Sequence, residues 1–359
     1  MQPKVSIVGA GPAGFALAAD LQRHGTDVLV YSHPDHLRHA GHVIENGFLT
    51  TTGIIKGPVS LKVTCNMTDV VHFSRFIILT VPSTGQETVL KELKRFCLKC
   101  HTIIAVPGNL FSLIADAELE VGHILETNLS PYSCRMDQGN LIVLGRKSRF
   151  FIASLEKNIS PDLKNLINGI FPMELEWCSS VIEVSLMNIN GVFHPLMMLM
   201  NAGRIESAGD FYLYREGLTR SVANAMDAVD KVRIQIGEAF GLRMESTIKV
   251  SNDCYRHTFT DLVDLAQNSK PHKNLKAPDN IHNRNISEDV PDLLVPWHDL
   301  AEKLGIDASP IKAVILMAEM ATGMDYMKTG RNLQKLNLNH MSSHELVERF
   351  HLLVDGRRR

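Results

Sequence analysis

The apolar positions fall into two rhythms along the chain. In KVSIVGAGPAGFALAADLQRHGTDVLVYS the run Val5 to Val8 reads as a strand, and Gly9, Gly11 and Gly14 form a turn. Phe15, Leu17, Ala18 and Leu21 then supply one helix face, Gly25 ends it, and Val28 to Tyr31 form a second strand. RFIILTVPSTGQETVLKEL repeats the pattern, with a strand from Phe76 to Val81, then Pro82, then a helix from about Gln86. HTIIAVPGNLFSL does so again, closed by Pro107-Gly108, and HILETNLSPYSCRM and NLIVLGRK complete this half. Past Trp177 the period lengthens: Val222, Met226, Val229, Ile236 and Phe240 recur on one helical face that Gly241 stops, and Ser309-Pro310 opens a further helix. The pattern predicts an α/β Rossmann dinucleotide-binding domain over residues 1–178, followed by an all-α helical domain over 179–359.

The glycines carry the first chemical signal. They stand in GxGxxG spacing between a strand and a helix, the context in which that motif binds a dinucleotide. Gly9 permits the tight turn, Gly11 lets backbone approach a pyrophosphate, and Gly14 lets helix and strand pack closely. With Ala10, Pro12 and Ala13 they surround a helix N-terminus whose free amides suit phosphate. In an open parallel sheet the loops after the carboxyl ends of the strands line the ligand crevice, so Val81 and Pro82 join the cofactor candidates. The second strand ends in Tyr31-Ser32-His33, without the carboxylate that binds an NAD ribose, although Asp35 is near. Ser32 can donate a hydrogen bond to a 2′-phosphate and Arg38 can pair with it, which favours NADP over NAD.

Charge and composition narrow the partners. The 37 Lys and Arg against 39 Asp and Glu give a formal charge of -2, with no global attraction to nucleic acid or anionic membrane. Small-molecule substrates, or a second subunit in a homodimer, remain. The start lacks a signal-peptide core, no apolar run approaches a membrane span, and six scattered cysteines read as reduced thiols, so the expected location is cytoplasmic. Cys97 and Cys100 form a CxxC within what reads as a helix, ETVLKELKRFCLKC, with no second pair at zinc spacing. His33, His36, His39 and His42 recur every three residues, but steps of about 300° drift around a helix axis and do not converge on one ion, so no metal site is assigned.

The stretch NINGVFHPLMMLMNAG places His194 directly before Pro195 in an apolar run. Proline removes an amide hydrogen, crowds the carbonyl of Gly191 and biases His194 away from helical angles. A kink or break at His194 is expected, which would lift an imidazole titrating near neutrality out of the apolar segment. A hydrogen-bonded core histidine beside a proline is the alternative.

The glycine turn, LTVPSTGQ, VPGN, ETNLSPYSCR, NINGVFHP with MNAGRIES, DNIHNRNISEDV and TGRNLQKLNL together resemble the octopine/nopaline (opine) dehydrogenase family. The resemblance runs from residue 4 to about residue 340, and NxNxxxHP with NRNISEDV is more specific than the glycine motif. It is similar above all to the crown-gall opine synthases. The resemblance implies NADH- or NADPH-dependent condensation of an α-keto acid with the amino group of an amino acid. It makes His194 the proton donor and acceptor, Asp289 its orienting carboxylate and Arg284 the clamp on the keto-acid carboxylate, while Asn190, one turn before His194, is a substrate-orienting candidate. Arg284 and Asp289 lie about 140° apart on an unbroken helix, so a turn is expected between them, with Asp289 near the start of a helix introduced by Pro291. Asn285-Ile286-Ser287 departs from the family's aromatic before the acidic pair, which leaves the amino acid open. Two rival readings are a keto-acid reductase of the ketopantoate-reductase type, which needs no amine, and a non-catalytic NADP-binding sensor.

Overall fold

Strand alternation decides how the first half of the chain layers itself. Val5 and Ile7 face one side of the sheet and join Phe15, Leu17 and Leu21 of the helix Pro12–Arg23 in an apolar cluster. Val8 and Leu79 face the other side and pack with Val70, Leu90, Leu93 and Phe111. Successive residues of a strand point to opposite faces, so both faces are covered, as a mostly parallel sheet requires. Ser6 sits at a buried position and spends its hydroxyl hydrogen on the carbonyl of Val70 at 2.8 Å.

The computed structural model describes residues 3–156, 158–207 and 210–350. Its strands are β1 (Lys4–Val8), β2 (Asp27–Tyr31), β3 (Phe48–Gly53), β4 (Gly57–Ser60), β5 (Lys62–Thr64), β6 (Phe76–Leu79), β7 (Leu98–Ala105), β8 (Val121–Thr127), β9 (Tyr132–Asp137), β10 (Asn140–Arg146), β11 (Arg149–Ser154) and β12 (Glu174–Trp177). Eight of them form one sheet in the order β12-β11-β8-β7-β6-β1-β2-β5. From β5 to β8 neighbouring strands are parallel, and β11 joins β8 antiparallel. The order reverses between β1 and β6, and at such a switch point the loops leaving the two carboxyl ends diverge and open a crevice. Gly9 to Gly14 follow β1 there, and Thr80 to Pro82 follow β6.

A second sheet, in the order β4-β3-β10-β9, was not foreseen. Its strands FLTTTG and GPVS are short and polar and alternate weakly, so periodicity does not reveal them. It is pinned to the helix Pro12–Arg23 by Asp20, a buried carboxylate that accepts hydrogen bonds from Tyr132 Oη at 2.7 Å and Arg146 Nη1 at 3.0 Å. Burial, and then the Asp20 charge, push the Tyr132 hydroxyl pKa well above its usual range. Cys97 and Cys100 do not lie on a helix: the preceding helix ends at Leu93 and β7 begins at Leu98. Three extended residue steps separate the two by about 10 Å, beyond disulfide reach.

The chain divides into two compact units, Met1–Val184 and Ser185–Arg359. The division falls later than residue 178, inside the short helix Val181–Leu186. The second unit is helical, with one isolated bridge between Tyr212 and Lys276 among its described residues. Its longest helix, Arg220–Ala239, carries a fully buried arginine. Arg233 donates to Asp230 Oδ1 at 2.7 Å, to the carbonyl of Leu186 at 2.8 Å and to that of Glu245, while Asp230 also accepts from the amide and hydroxyl of Thr247. One ion pair thus ties three chain segments. No helix among the described residues is long and apolar enough to cross a membrane.

Removing one partner of a buried, fully bonded ion pair strands the other charge, so Arg233→Ala is expected to cost about 3–5 kcal/mol. Arg220→Ala breaks the exposed pair with Asp261 and is expected to cost less than about 1 kcal/mol. Denaturant unfolding of the two variants beside the parent checks the contrast.

Candidate functional site

The glycine turn is held by contacts that leave no room for side chains at two of its three positions. Gly9 has φ +125°, and a Cβ there would stand 2.7 Å from Thr80 Oγ1. A Cβ on Gly14 would overlap the carbonyl oxygen of Gly9 and lie 2.6 Å from the same hydroxyl oxygen. Thr80 Oγ1 itself donates toward the carbonyls of Gly9, at 3.1 Å, and Val8, at 3.3 Å, so the loop after β6 locks the loop after β1. Gly11 differs. It caps the helix Pro12–Arg23 with φ -88°, offers no side-chain cap, and a Cβ there would meet nothing within 4 Å. The fold does not need a glycine at 11. What its bare backbone preserves is open space in front of a helix N-terminus, the place where a pyrophosphate sits. Ala10, Pro12 and Ala13 are small and half-buried around it, Val81 is half-buried, and Pro82 caps the helix Ser83–Leu93. These residues fit a dinucleotide.

The end of β2 corrects one expectation. Ser32 is buried, and its hydroxyl donates to the carbonyl of His36 at 3.1 Å, so its single hydrogen is not available to a 2′-phosphate. Arg38 is exposed and has no hydrogen bond or ion pair among the described residues. His33 accepts from the amide of Asp35 and lies 3.7 Å from Glu92, while His42 turns to Asn46. Among the described residues no three His, Cys, Asp or Glu are grouped to hold a metal ion.

The VPGN turn after β7 is shaped by a residue that was assigned no role from sequence. Glu126 of β8 is fully buried and accepts hydrogen bonds from the amides of Leu110 at 3.2 Å and Ser112 at 3.1 Å. Asn109 and Leu110 both have left-handed φ, +53° and +65°. A Cβ on Gly108 would overlap the Glu126 side chain, so the glycine and the acid define one another. The signal was visible as an acid inside an apolar strand, HILET, where an unpartnered carboxylate would be costly.

In the second unit His194 and Asp289, separated by 95 residues, meet: His194 Nδ1 lies 2.6 Å from Asp289 Oδ2. An ionised carboxylate only accepts, so Nδ1 carries the shared proton and Nε2 is left for other chemistry. His194 is about one-fifth exposed and Asp289 is buried. Of the kink or break expected at His194, the break is absent. The helix Asn190–Leu199 runs through Pro195, and the interruption lies upstream, at Met187–Ile189. A Cβ on Gly191 would stand 2.8 Å from the Trp297 ring and 3.3 Å from Leu293 Cβ. The glycine is therefore required where this helix presses against a neighbour, besides easing the proline ring.

The segment around Asp289 turns as Pro291 implies. Arg284–Ser287 is one helical turn, and Asp289 caps a π-helical turn, Val290–Leu294, with Pro291 at its start. Arg284 is not drawn to His194 or Asp289. It is about two-thirds exposed, and Nη2 lies 3.2 Å from Oε2 of the buried Glu288. Asn190 opens the His194 helix, and its side chain has no hydrogen bond among the described residues. Tyr214 was missed. Burial, then Tyr255, then the charge of Asp289 raise its hydroxyl pKa, and its ring lies 6.0 Å from Phe193 and 5.0 Å from His272. An aromatic inside YLYREG gives no periodic signal that it closes on a residue 75 positions later.

A dinucleotide cradle on a Rossmann sheet, followed by a helical unit with an oriented imidazole, is the equipment of an NAD(P)-dependent oxidoreductase. Residues 177–322 match the NAD/NADP octopine/nopaline dehydrogenase alpha-helical domain, and residues 4–119 match the NAD-dependent glycerol-3-phosphate dehydrogenase N-terminus. The helical part of the chain is therefore similar to that of the octopine/nopaline (opine) dehydrogenases. The chain is 28% identical to protein ocs of Agrobacterium tumefaciens (strain Ach5), over 96% of its own length and 98% of the relative. It is also 28% identical to vitopine synthase of Allorhizobium ampelinum (strain ATCC BAA-846 / DSM 112012 / S4), over the same shares. The structure of octopine dehydrogenase in complex with NADH and agmatine superposes with a TM-score of 0.76 at 18% identity, covering 96% of this chain and 98% of that one.

The different surroundings of Gly11 and Gly14 separate binding from folding. Gly11→Ala is expected to keep the parent melting temperature but weaken NAD(P)H binding at least about tenfold, a loss of about 1.4 kcal/mol. Gly14→Ala is expected to lower the melting temperature as well, since overpacking against backbone costs about 1–3 kcal/mol or more. Thermal melts with fluorescence titration of reduced coenzyme distinguish the two.

Proposed function

We propose that the protein is an opine dehydrogenase: it condenses an α-keto acid with the amino group of an amino acid and reduces the product to a secondary amine bearing two carboxylates, and it runs the reverse oxidation. The observation that carries this reading is the His194–Asp289 contact of 2.6 Å, formed by the residues that the family pattern makes the proton carrier and its orienting carboxylate.

The chain's own groups divide the work by chemical type. With Nδ1 committed to Asp289, His194 has one nitrogen with which to protonate the carbonyl oxygen that leaves as water and to take the proton back in the reverse direction. Asp289 fixes the tautomer and stabilises the imidazolium while it exists. Arg284 keeps most of its five donors toward solvent, and a planar fork suits the keto-acid carboxylate held in two places. The free amide of Asn190, one turn from His194, can bond the incoming amine or carboxylate. NAD(P)H, when bound, supplies the hydride that reduces the imine carbon. For the coenzyme we favour NADPH, now on Arg38 alone, because Ser32 is committed to His36.

His194→Ala is expected to bind reduced coenzyme with unchanged affinity and to lose about 10²–10⁴-fold in kcat, the usual contribution of general acid–base catalysis. The assay is a grid of keto acids against amino acids, followed by loss of reduced-coenzyme absorbance. Normal turnover by the variant removes the histidine from the mechanism. Oxidation that continues when the amino acid is omitted favours a ketopantoate-type reductase, and coenzyme binding without oxidation on any pair favours a sensor. Arg38→Ala is expected to raise the KM for NADPH about tenfold, equivalent to about 1.4 kcal/mol, and to leave that for NADH unchanged.

A further inference from the structure

Asp289 can orient His194 only if something fixes Asp289 itself. Among the described residues its carboxylate has one hydrogen bond, the one to His194, and makes no cap bond to its own turn. Its position is therefore inherited from the backbone of Val290–Leu294. That turn is π-helical, a geometry that is rare on its own and is found as single turns at functional sites. Pro291 within it and Pro296 just beyond lack amide hydrogens, so the turn has fewer internal bonds with which to hold its shape.

The missing restraint comes from the segment TGRNLQKLNL. The amide of Arg331 donates to the carbonyl of Pro291 at 2.8 Å. Its Nε lies 3.2 Å from Asp292 Oδ1, and both side chains are almost wholly buried. Gly330 approaches so closely that a Cβ would stand 2.5 Å from the same Pro291 carbonyl. The turn is thus gripped two and three residues past Asp289. From the other side, the amide of Asp292 donates to the carbonyl of Glu288 at 3.1 Å. The Arg331–Asp292 pair carries no net charge, so its effect on the imidazole is one of placement.

We propose that Arg331 is a positioning residue: through Asp292 it sets the π-helical turn so that Asp289 reaches His194. The inference rests on the proton-transfer role given to His194 above. The Arg331→Met variant keeps the amide bond to Pro291 and removes only the side-chain grip. A shift of about 1 Å in a catalytic group costs about 10²-fold, so kcat should fall by that order, with KM for the keto acid changed less than about threefold and coenzyme affinity unchanged. The hydrogen-bonded Nδ1 proton of His194, a downfield proton resonance identified by its absence in His194→Ala, should disappear. Arg331→Lys, which restores a cation near Asp292, should recover part of both kcat and the resonance. A folded Arg331→Met that keeps the resonance and the parent kcat overturns the proposal, as does a loss that Arg331→Lys leaves undiminished. If Arg331→Met fails to fold, Asp292→Asn is read by the same criteria. The resonance reports geometry whatever the substrates are, so failure of the positioning idea is distinguishable from failure of the opine reading.

Discussion

A hydrogen bond of 2.6 Å between side chains 95 residues apart tolerates little slack, and the helical unit is built around that tolerance. Gly191 and His194 are three residues apart on one helix and so share a face. At Gly191 that face presses against Trp297 and Leu293, the latter inside the turn that Asp289 caps. The close approach at the glycine sets the distance between the two elements. A side chain at 191 would have to displace a fully buried indole, and the separation of His194 from Asp289 would grow with it.

The first unit uses the same device for a different end. Gly14 and Gly9 bring a helix against a strand, and the Thr80 hydroxyl sits in the gap they leave. Close packing there aims the helix N-terminus, and Gly11, where a Cβ would meet nothing within 4 Å, keeps the space in front of it open. Glu126 extends the principle to the next loop along the sheet, where a buried acid bonded to two amides holds Asn109 and Leu110 in left-handed conformations. Backbone held in such regions persists only when its surroundings over-determine it.

What the sequence made legible follows from the range of each signal. The parallel sheet, its first helix and the glycine turn were readable because strand alternation and GxGxxG are local, spanning residues that stay neighbours in space. The family pattern brought His194 and Asp289 together on paper across a gap that no periodicity bridges. The small sheet of β3, β4, β9 and β10 was not readable, because a strand such as FLTTTG gains its order from pairing with β10, far along the chain, rather than from its own composition. Ser32 was misread for a related reason: its residue type suits a phosphate, but only the fold shows that its hydrogen belongs to His36. Cys97 and Cys100 were placed on a helix because ETVLKELKRF continues a helical period that the chain abandons at Leu93.

Pro195 is the instructive case. Local rules predicted a kink or a break at His194, since proline disfavours helical angles in the residue before it. The helix nevertheless runs through, and the interruption appears at Met187–Ile189, where the turn restarts. The preference at a pre-proline residue is small beside the burial of Val192, Phe193, Leu196, Met197 and Met198, which face the core only if the helix is continuous. A fully buried Leu or Met side chain contributes roughly 1.5–3 kcal/mol, and several of them outweigh a proline in the helix interior, which costs about 3 kcal/mol. The imidazole is therefore not freed by a broken helix. It is held by an intact one, on the face that Gly191 presses close to Asp289, and a rigid mount suits a proton-transfer group better than a mobile one.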